Sequence, residues 1–224
     1  MTITSAKNAI HDIDDAITEV GRVSAWYAAA AASLKADDAL SDAGRKGRLA
    51  EIRAEAMSRI DKAQRTADFG AERAKDDLAA AARDLPTPDR EDVRDAWRHV
   101  ERALGKGATV DQVARHAAER GDLMALRAMV REVPAWIESQ AGRAMDEPTV
   151  RDSIVSAMDL VQRTMEPLLP EPERVIGQLT SEVEAASAAF AVRHVLAVRE
   201  TEGRATALDR MRVGFAALDR ADHR

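Results

Sequence analysis

Apolar side chains recur at alternating intervals of three and four residues along residues 3–36. This spacing puts them at the a and d positions of a seven-residue repeat, the pattern of a left-handed coiled-coil seam. Acidic residues flank the first half of the seam, and the pattern ends at Asp37 and Asp38. It predicts one long helix, whose inner positions are Ile3, Ala6, Ile10, Ile13, Ile17, Val20, Ser24, Tyr27, Ala31 and Leu34.

A second apolar pattern follows a glycine-containing turn at residues 41–47. Its intervals of three, four and four make an eleven-residue repeat, which gives a nearly straight or slightly right-handed seam. Residues 1–85 are therefore predicted to form a long, coiled-coil-like, antiparallel helical hairpin. The inner positions of its second arm are Leu49, Ile52, Ala56, Ile60, Ala63, Ala67, Ala71, Ala74, Leu78, Ala82 and Leu85.

The two arms of this hairpin have different repeats, so a simple two-stranded supercoil cannot satisfy both over their full length. Either the arms splay, or further helices cover what they leave open, and the long C-terminal helix is the obvious candidate. The mismatch is also a reason to expect a partner, which would be another copy of the chain or another protein.

Prolines and short polar breaks divide the rest of the chain. Pro86-Thr87-Pro88 is the clearest boundary, and a second break falls at residues 145–149. No segment alternates apolar and polar residues as a half-buried strand does. We therefore predict an all-α protein without a β-sheet, in which the hairpin is joined to a C-terminal multi-helix bundle. The predicted segments are residues 1–85, 86–148 and 149–224, the last ending in a long C-terminal helix.

Composition narrows the class of protein. Hydrophobic residues make up 46% of the chain and aromatic residues 3%, which predicts a thin core. The net charge of −6 is spread evenly without a basic arm, which argues against nucleic acid as a partner. The absence of cysteine excludes disulfides and thiolate sites. Because residues 25–32 are too short to span a bilayer and no signal peptide is visible, we expect a soluble, cytoplasmic protein that binds no membrane.

Sequence motifs for catalysis are absent. No histidine follows a glutamate by three residues, so the Glu-x-x-His pairs of di-iron bundles are missing. The chain also lacks a phosphate-binding glycine loop and a Gly-x-Ser-x-Gly elbow. We therefore predict that the protein is not an enzyme and has no cofactor or metal. A site built from scattered acids with His99, His116 or His194 is a further hypothesis, but the sequence gives it no positive support.

Residues 109–133 hold the main alternative, a helix-turn-helix. Their first half begins like the first helix and turn of such a motif, which would make residues 122–133 the recognition helix. That segment offers Arg127 and Arg131 as polar residues to contact bases, and apolar side chains cover much of the rest. A plain helical hairpin is the preferred interpretation, and a DNA-binding regulator is the alternative function.

The last segment, residues 204–224, carries an apolar stripe among arginines. Such a stripe packs on the protein's own bundle, or it belongs to a docking helix that lies in a partner's groove. The weak apolar face at residues 199–206 is consistent with a hinge before it. The stripe consists of Leu208, Met211, Phe215 and Leu218.

Residues 40–56 follow an acidic helix end and have the sequence LSDAGRKGRLAEIRAEA. They resemble the hairpin corner of helical proteins encoded among the virion-structure genes of phages that infect GC-rich Gram-positive bacteria. The resemblance implies a virion-associated, scaffold-like assembly role, with no catalytic residues to carry over. The expected location is then the cytoplasm or the virion.

The functional expectation is a non-enzymatic structural or interaction protein that oligomerises and takes part in phage virion assembly. Its partner would be a second copy of the chain, another protein, or both, bound through helical faces. The residues predicted to bind the partner are Ile10, Ile13, Ile17 and Val20 in the first helix and Leu208, Met211, Phe215 and Leu218 near the C-terminus.

Overall fold

The structure, a computed structural model, describes residues 2–141, 147–206 and 208–213. Within these residues every regular element is a helix and no β-strand occurs, which confirms the predicted all-α class. Residues 208–213 are also helical. The other elements are α1 (Thr2–Ala36), α2 (Asp42–Arg83), α3 (Arg90–Gly105), α4 (Val110–Glu119), α5 (Leu123–Ala141), α6 (Glu147–Met165), a short 3-10 helix (Glu166–Leu168) and α7 (Glu171–Thr201).

The described residues form two compact units. The first unit consists of the described residues within Met1–Asp84 and Val175–Arg224. The second unit consists of those within Leu85–Arg174. Sequence analysis placed a segment boundary near residue 148 and grouped α6 with α7. In the structure α6 belongs to the second unit, because its Val161 lies in the same hydrophobic cluster as residues of α3, α4 and α5.

Polar side chains set the starts of several helices. The hydroxyl of Ser41 accepts a hydrogen bond from the Gly44 N–H at 3.2 Å and caps the first turn of α2. Thr109 and Gln112 form a reciprocal capping box at the start of α4. Gly121, with φ of +66°, makes the turn that separates α4 from α5.

In the first unit α1 and α2 run antiparallel at close approach. Small residues line their contact, and a Cβ added to Gly70 would lie 2.9 Å from the carbonyl oxygen of Ala9. Arg59 of α2 donates to the carboxylate of Glu19 at 2.7 Å, and its guanidinium lies 5.5 Å from the centre of the Trp26 ring. The close approach follows from the small residues, and the contacts of Arg59 help to fix the register of the two helices.

The long helix α7 packs along the hairpin and supplies the cover that the two unequal arms need. Its last residue, Thr201, is fully buried, and the Thr201 carbonyl accepts hydrogen bonds from the Tyr27 hydroxyl and from Nε of Arg53, each at 3.0 Å. These bonds satisfy a backbone acceptor at a helix end that has no partner within the helix. The α7 residues that share hydrophobic clusters with α1 and α2 are Leu179, Val183, Ala186, Phe190 and Ala197.

The buried face of α1 is turned slightly from the predicted seam. Ala9, Ala16 and Val23 are buried, although they were not predicted as inner positions, whereas Ile10 and Ile17 are half-buried. The reason is that α1 contacts both α2 and α7, so its buried face is wider than a two-helix seam. The line of predicted positions at the centre of this face is buried as expected and consists of Ala6, Ile13, Val20 and Tyr27.

In the second unit α5 is the central helix, and α3, α4 and α6 all pack against it. Leu126, Met129 and Val133 of α5 are fully buried. The apolar faces of α3, α4 and α6 meet α5 from three sides, so α5 has little surface to offer a partner. The other buried members of this cluster are Val100, Leu104, Ala114, Ala117, Ala125 and Val161.

Candidate partner-binding site

The four residues of α1 that were predicted to bind a partner lie in or against the core of the first unit. Ile13 and Val20 have no exposed surface, and Ile10 and Ile17 are half-buried against the same clusters. Contacts with α2 and α7 account for this burial. A partner could reach Ile13 or Val20 only after α7 had moved away. The role of these two residues in binding therefore stays a prediction.

The predicted C-terminal stripe is partly exposed. Leu208 and Met211 are 53% and 54% exposed, which is unusual for large apolar side chains in this protein. Phe215 and Leu218, the other two members of the stripe, lie outside the described residues. The described half of the stripe is therefore open to a partner.

Asp209 anchors the start of this exposed segment. The N–H and the hydroxyl of Thr206 donate to one carboxylate oxygen of Asp209 at 2.9 and 2.7 Å, and Arg199 of α7 pairs with the other oxygen. These contacts lower the pKa of Asp209, the backbone N–H of Thr206 having the largest effect, followed by its hydroxyl, and the Arg199 charge adding to both. The segment thus begins fixed to the end of α7, and Leu208 and Met211 face solvent.

A groove of about 560 Å³ lies where α7 ends beside α1. The Tyr27–Thr201 hydrogen bond puts the end of α7 at the level of Tyr27, so α7 does not cover the last turns of α1, which lie beside the segment containing Gly203, Ala205 and Arg210. The groove is called the α1–α7 groove below. Its walls are formed by Gly21, Ser24, Ala25, Tyr27, Ala28, Ala31, Ala32 and Lys35 of α1, by Arg193 and Glu200 of α7, and by Gly203, Ala205 and Arg210.

The α1 wall of this groove is built from small residues. Ala25, Ala28 and Ala32 lie one turn apart on the same side of the helix, and all three are exposed. Alanine walls leave space into which the larger side chains of another helix fit as knobs into holes. The arrangement therefore suits a helical partner with large apolar side chains.

The charges around the α1–α7 groove are predominantly positive. Lys35, Arg193 and Arg210 line it together with one carboxylate, that of Glu200, which lies 3.7 Å from Nε of Arg210. Neither Lys35 nor Arg193 forms an ion pair with any residue that the structure describes. A positive rim on a chain with a net charge of −6 is a local reversal of the overall balance.

Ser24 lines the same groove and is 7% exposed. Its hydroxyl forms no hydrogen bond within the described part of the chain. A serine inside a helix commonly donates to the carbonyl four residues earlier, so a buried hydroxyl without a partner is notable. The Ser24 hydroxyl is therefore a free hydrogen-bond donor beside the positively charged wall of the groove.

The helix-turn-helix alternative gains no support from the second unit. α4, the turn and α5 have the expected order, but α5 is enclosed by three helices. Arg127 is 20% exposed and donates to both carboxylate oxygens of Glu173 at 2.5 and 2.7 Å, and Arg131 pairs with Glu132 at 3.1 Å. Both arginines that were expected to contact bases are therefore already bonded to carboxylates.

The residues of the enzymatic hypothesis are dispersed. His99 is exposed on α3, His116 lies 3.8 Å from Glu119 on an exposed surface, and His194 stacks on Phe190. Within the described ranges, no three histidine or acidic side chains come together as metal ligands would.

No described helix combines the length and the apolar character that crossing a membrane requires. The chain matches no protein-family model, no curated protein and no solved structure.

Neither Ser24 nor Arg193 was predicted from the sequence to belong to a binding site. Ser24 was assigned to the seam, where it is the one serine among mostly apolar positions. Arg193 stands in an alanine- and valine-rich part of α7 and was not singled out. A polar residue that interrupts an apolar pattern was the available signal in both cases, but their proximity depends on where α7 ends.

Proposed function

We propose that this chain is a non-enzymatic interaction protein whose α1–α7 groove receives a helix of a partner. The observation that carries the proposal is an exposed, alanine-walled groove in which Ser24 has no hydrogen-bond partner, and Lys35 and Arg193 no ion pair, within the described residues. Amphipathic helices bind such grooves through apolar side chains one turn apart. Leu208 and Met211, which flank the groove residue Arg210, extend the apolar surface available to that helix.

The partner is a second copy of the chain, another protein, or both. The resemblance of residues 40–56 to the corner of virion-associated helical proteins supports placing this interaction in the assembly of a phage particle. In that setting a helical protein with an open groove would act as a scaffold-like component, joining other subunits without taking part in chemistry.

Blocking the groove tests the proposal. Ala28→Arg places a long charged side chain in the groove wall, and Ala79→Arg makes the same change at an exposed alanine of α2 outside the groove. Light scattering of the chain, together with any protein that co-purifies with it from its own cells, should give a mass above the 24.3 kDa of one chain for the original protein and for Ala79→Arg. Ala28→Arg should return the mass to that of one chain.

A chain that stays at 24.3 kDa in all three forms and co-purifies with no protein from its own cells would contradict the proposal. Association that both variants retain equally would show that it uses another surface. Circular dichroism of each variant, with an unchanged helix signal, separates a blocked groove from a damaged fold.

A further inference from the structure

We infer that the α1–α7 groove selects an acidic helix of another protein, with Arg193 receiving a carboxylate from that helix. The inference rests on the proposed function and adds the chemistry of the partner. It makes Arg193 the residue that determines specificity, while the alanine wall accommodates the apolar side chains on either side of the carboxylate.

Charge complementarity is the first argument. Three cationic side chains and one carboxylate line the groove, and Glu200 lies beside Arg210. Two positive groups, Lys35 and Arg193, are thereby left without an ion pair in the described structure. Positive groups in a walled groove attract a partner of opposite charge and disfavour partners of like charge.

The position of Arg193 is the second argument. A Cβ added to Gly21 would lie 3.1 Å from Nη2 of Arg193, so the guanidinium rests against the α1 backbone where no side chain intervenes. A guanidinium held in this way presents its planar set of donors to the groove, and that set matches both oxygens of a carboxylate. Lys35 is a point charge on a flexible stem and provides weaker geometric selection.

Ser24 provides an independent third argument. It stands one turn from Gly21 on the same side of α1, so its side chain and the Arg193 guanidinium border the same part of the groove. Its hydroxyl is buried and bonded to no described group. A carboxylate on Arg193 would offer an acceptor to this hydroxyl, which is the contact that the free groove lacks.

Two synthetic peptides of about 20 residues, long enough to be helical, test the inference. Both carry leucines at a and d positions, and they differ in one central residue, glutamate or glutamine. Fluorescence anisotropy with the full chain should show the glutamate peptide binding about 5- to 10-fold more tightly, because an ion pair with Arg193 replaces a hydrogen bond from Arg193 to an uncharged amide.

Variants assign this preference to the groove. Arg193→Gln should remove the difference between the peptides, and Ser24→Ala should reduce it by about 2-fold. Arg65→Gln, which makes the same change in charge at an exposed residue of α2 outside the groove, should leave it intact. Ala28→Arg should weaken both peptides together, since it blocks the groove whatever the charge of the ligand.

The outcomes separate the inference from the proposed function. Equal binding of both peptides that Ala28→Arg abolishes would overturn acid selection and leave helix docking standing. Binding that Ala28→Arg does not affect would overturn the groove as the docking site. An Arg193-dependent dimer of the chain alone would make a second copy the occupant. If both peptides bind more tightly after the double substitution Phe215→Ala and Leu218→Ala, the chain's own C-terminus is the occupant. If neither peptide binds any form of the protein, the inference is overturned.

Discussion

The two units bury their helices in opposite ways. In the first unit the face of α2 that meets α1 is mostly alanine with one glycine, so the two backbones lie close together and α2 buries little apolar area per residue. In the second unit α5 is enclosed by α3, α4 and α6, and large side chains such as Leu126 and Met129 fill its core. The two cores should therefore respond differently when atoms are removed from them or added to them.

The difference also concerns what each unit leaves exposed. α7 adds further apolar side chains, such as Phe190, to the contact of α1 with α2, and α7 ends at the level of Tyr27. Beyond that level the alanines of α1 are exposed and form the groove wall. The central helix of the second unit is covered by three helices along Leu126, Met129 and Val133, and its Arg127 is already paired with Glu173. The open groove of the first unit is therefore the stronger candidate for binding.

The largest expected effect is the removal of atoms from the core of the second unit. Leu126 has no exposed surface, and Leu126→Ala should lower the free energy of unfolding by about 2–5 kcal/mol through lost burial and a residual cavity. Denaturant unfolding, with amide exchange of α5 to locate the loss, measures this. Val155→Ala, at a residue that is 60% exposed, should change stability by less than about 0.5 kcal/mol. A similar small effect for both variants would contradict the central role of α5.

The next effect reverses the change and adds one methyl group to the first unit. Gly70→Ala places a Cβ 2.9 Å from the Ala9 carbonyl oxygen, a backbone atom that cannot rotate away, so α1 and α2 must move apart. The expected loss is about 1–3 kcal/mol despite the better helix propensity of alanine. Gly47→Ala has open space in the same helix and should gain about 0.5–1 kcal/mol. If thermal unfolding shows both substitutions raising the Tm, the helices are farther apart than described.

How far the sequence predicts this fold depends on how strongly neighbouring residues differ in the size of their side chains. The seven-residue repeat of α1 is marked by isoleucines and valines, so the helix and its central inner line were predicted. In α2 the inner positions Ala71 and Ala82 were predicted, whereas Gly70 and Ala81 are buried more deeply. Runs of alanine give no contrast in size, so a rotation of the buried face by one residue leaves the pattern almost unchanged.

The candidate site was less predictable than the fold because it depends on a contact between distant parts of the chain. Residues 25–32 were recognised as an apolar stretch, but nothing local indicates that α7 stops beside Tyr27 and leaves the alanines exposed. The stripe containing Leu208 and Met211 was predicted from its spacing alone. The pairing of Ser24 with Arg193 in one groove needed the register between α1 and α7, which no periodicity encodes.

The smallest expected effect concerns the anchor beside the groove. Because hydrogen bonds from Thr206 and the charge of Arg199 favour ionised Asp209, its pKa is lowered in the folded chain. The anchor should therefore be fully present above the ordinary aspartate pKa of about 3.9 and be lost as pH falls through the lowered value. A carbon-13 NMR titration of the Asp209 carboxyl group should give a midpoint below about 3.9. Thr206→Ala and Arg199→Gln should each raise the midpoint, since the hydroxyl of Thr206 and the arginine both lower this pKa. A midpoint at or above the ordinary value would mean that residues 208–213 are not held to the end of α7, and Leu208 and Met211 would lose their fixed place beside the groove.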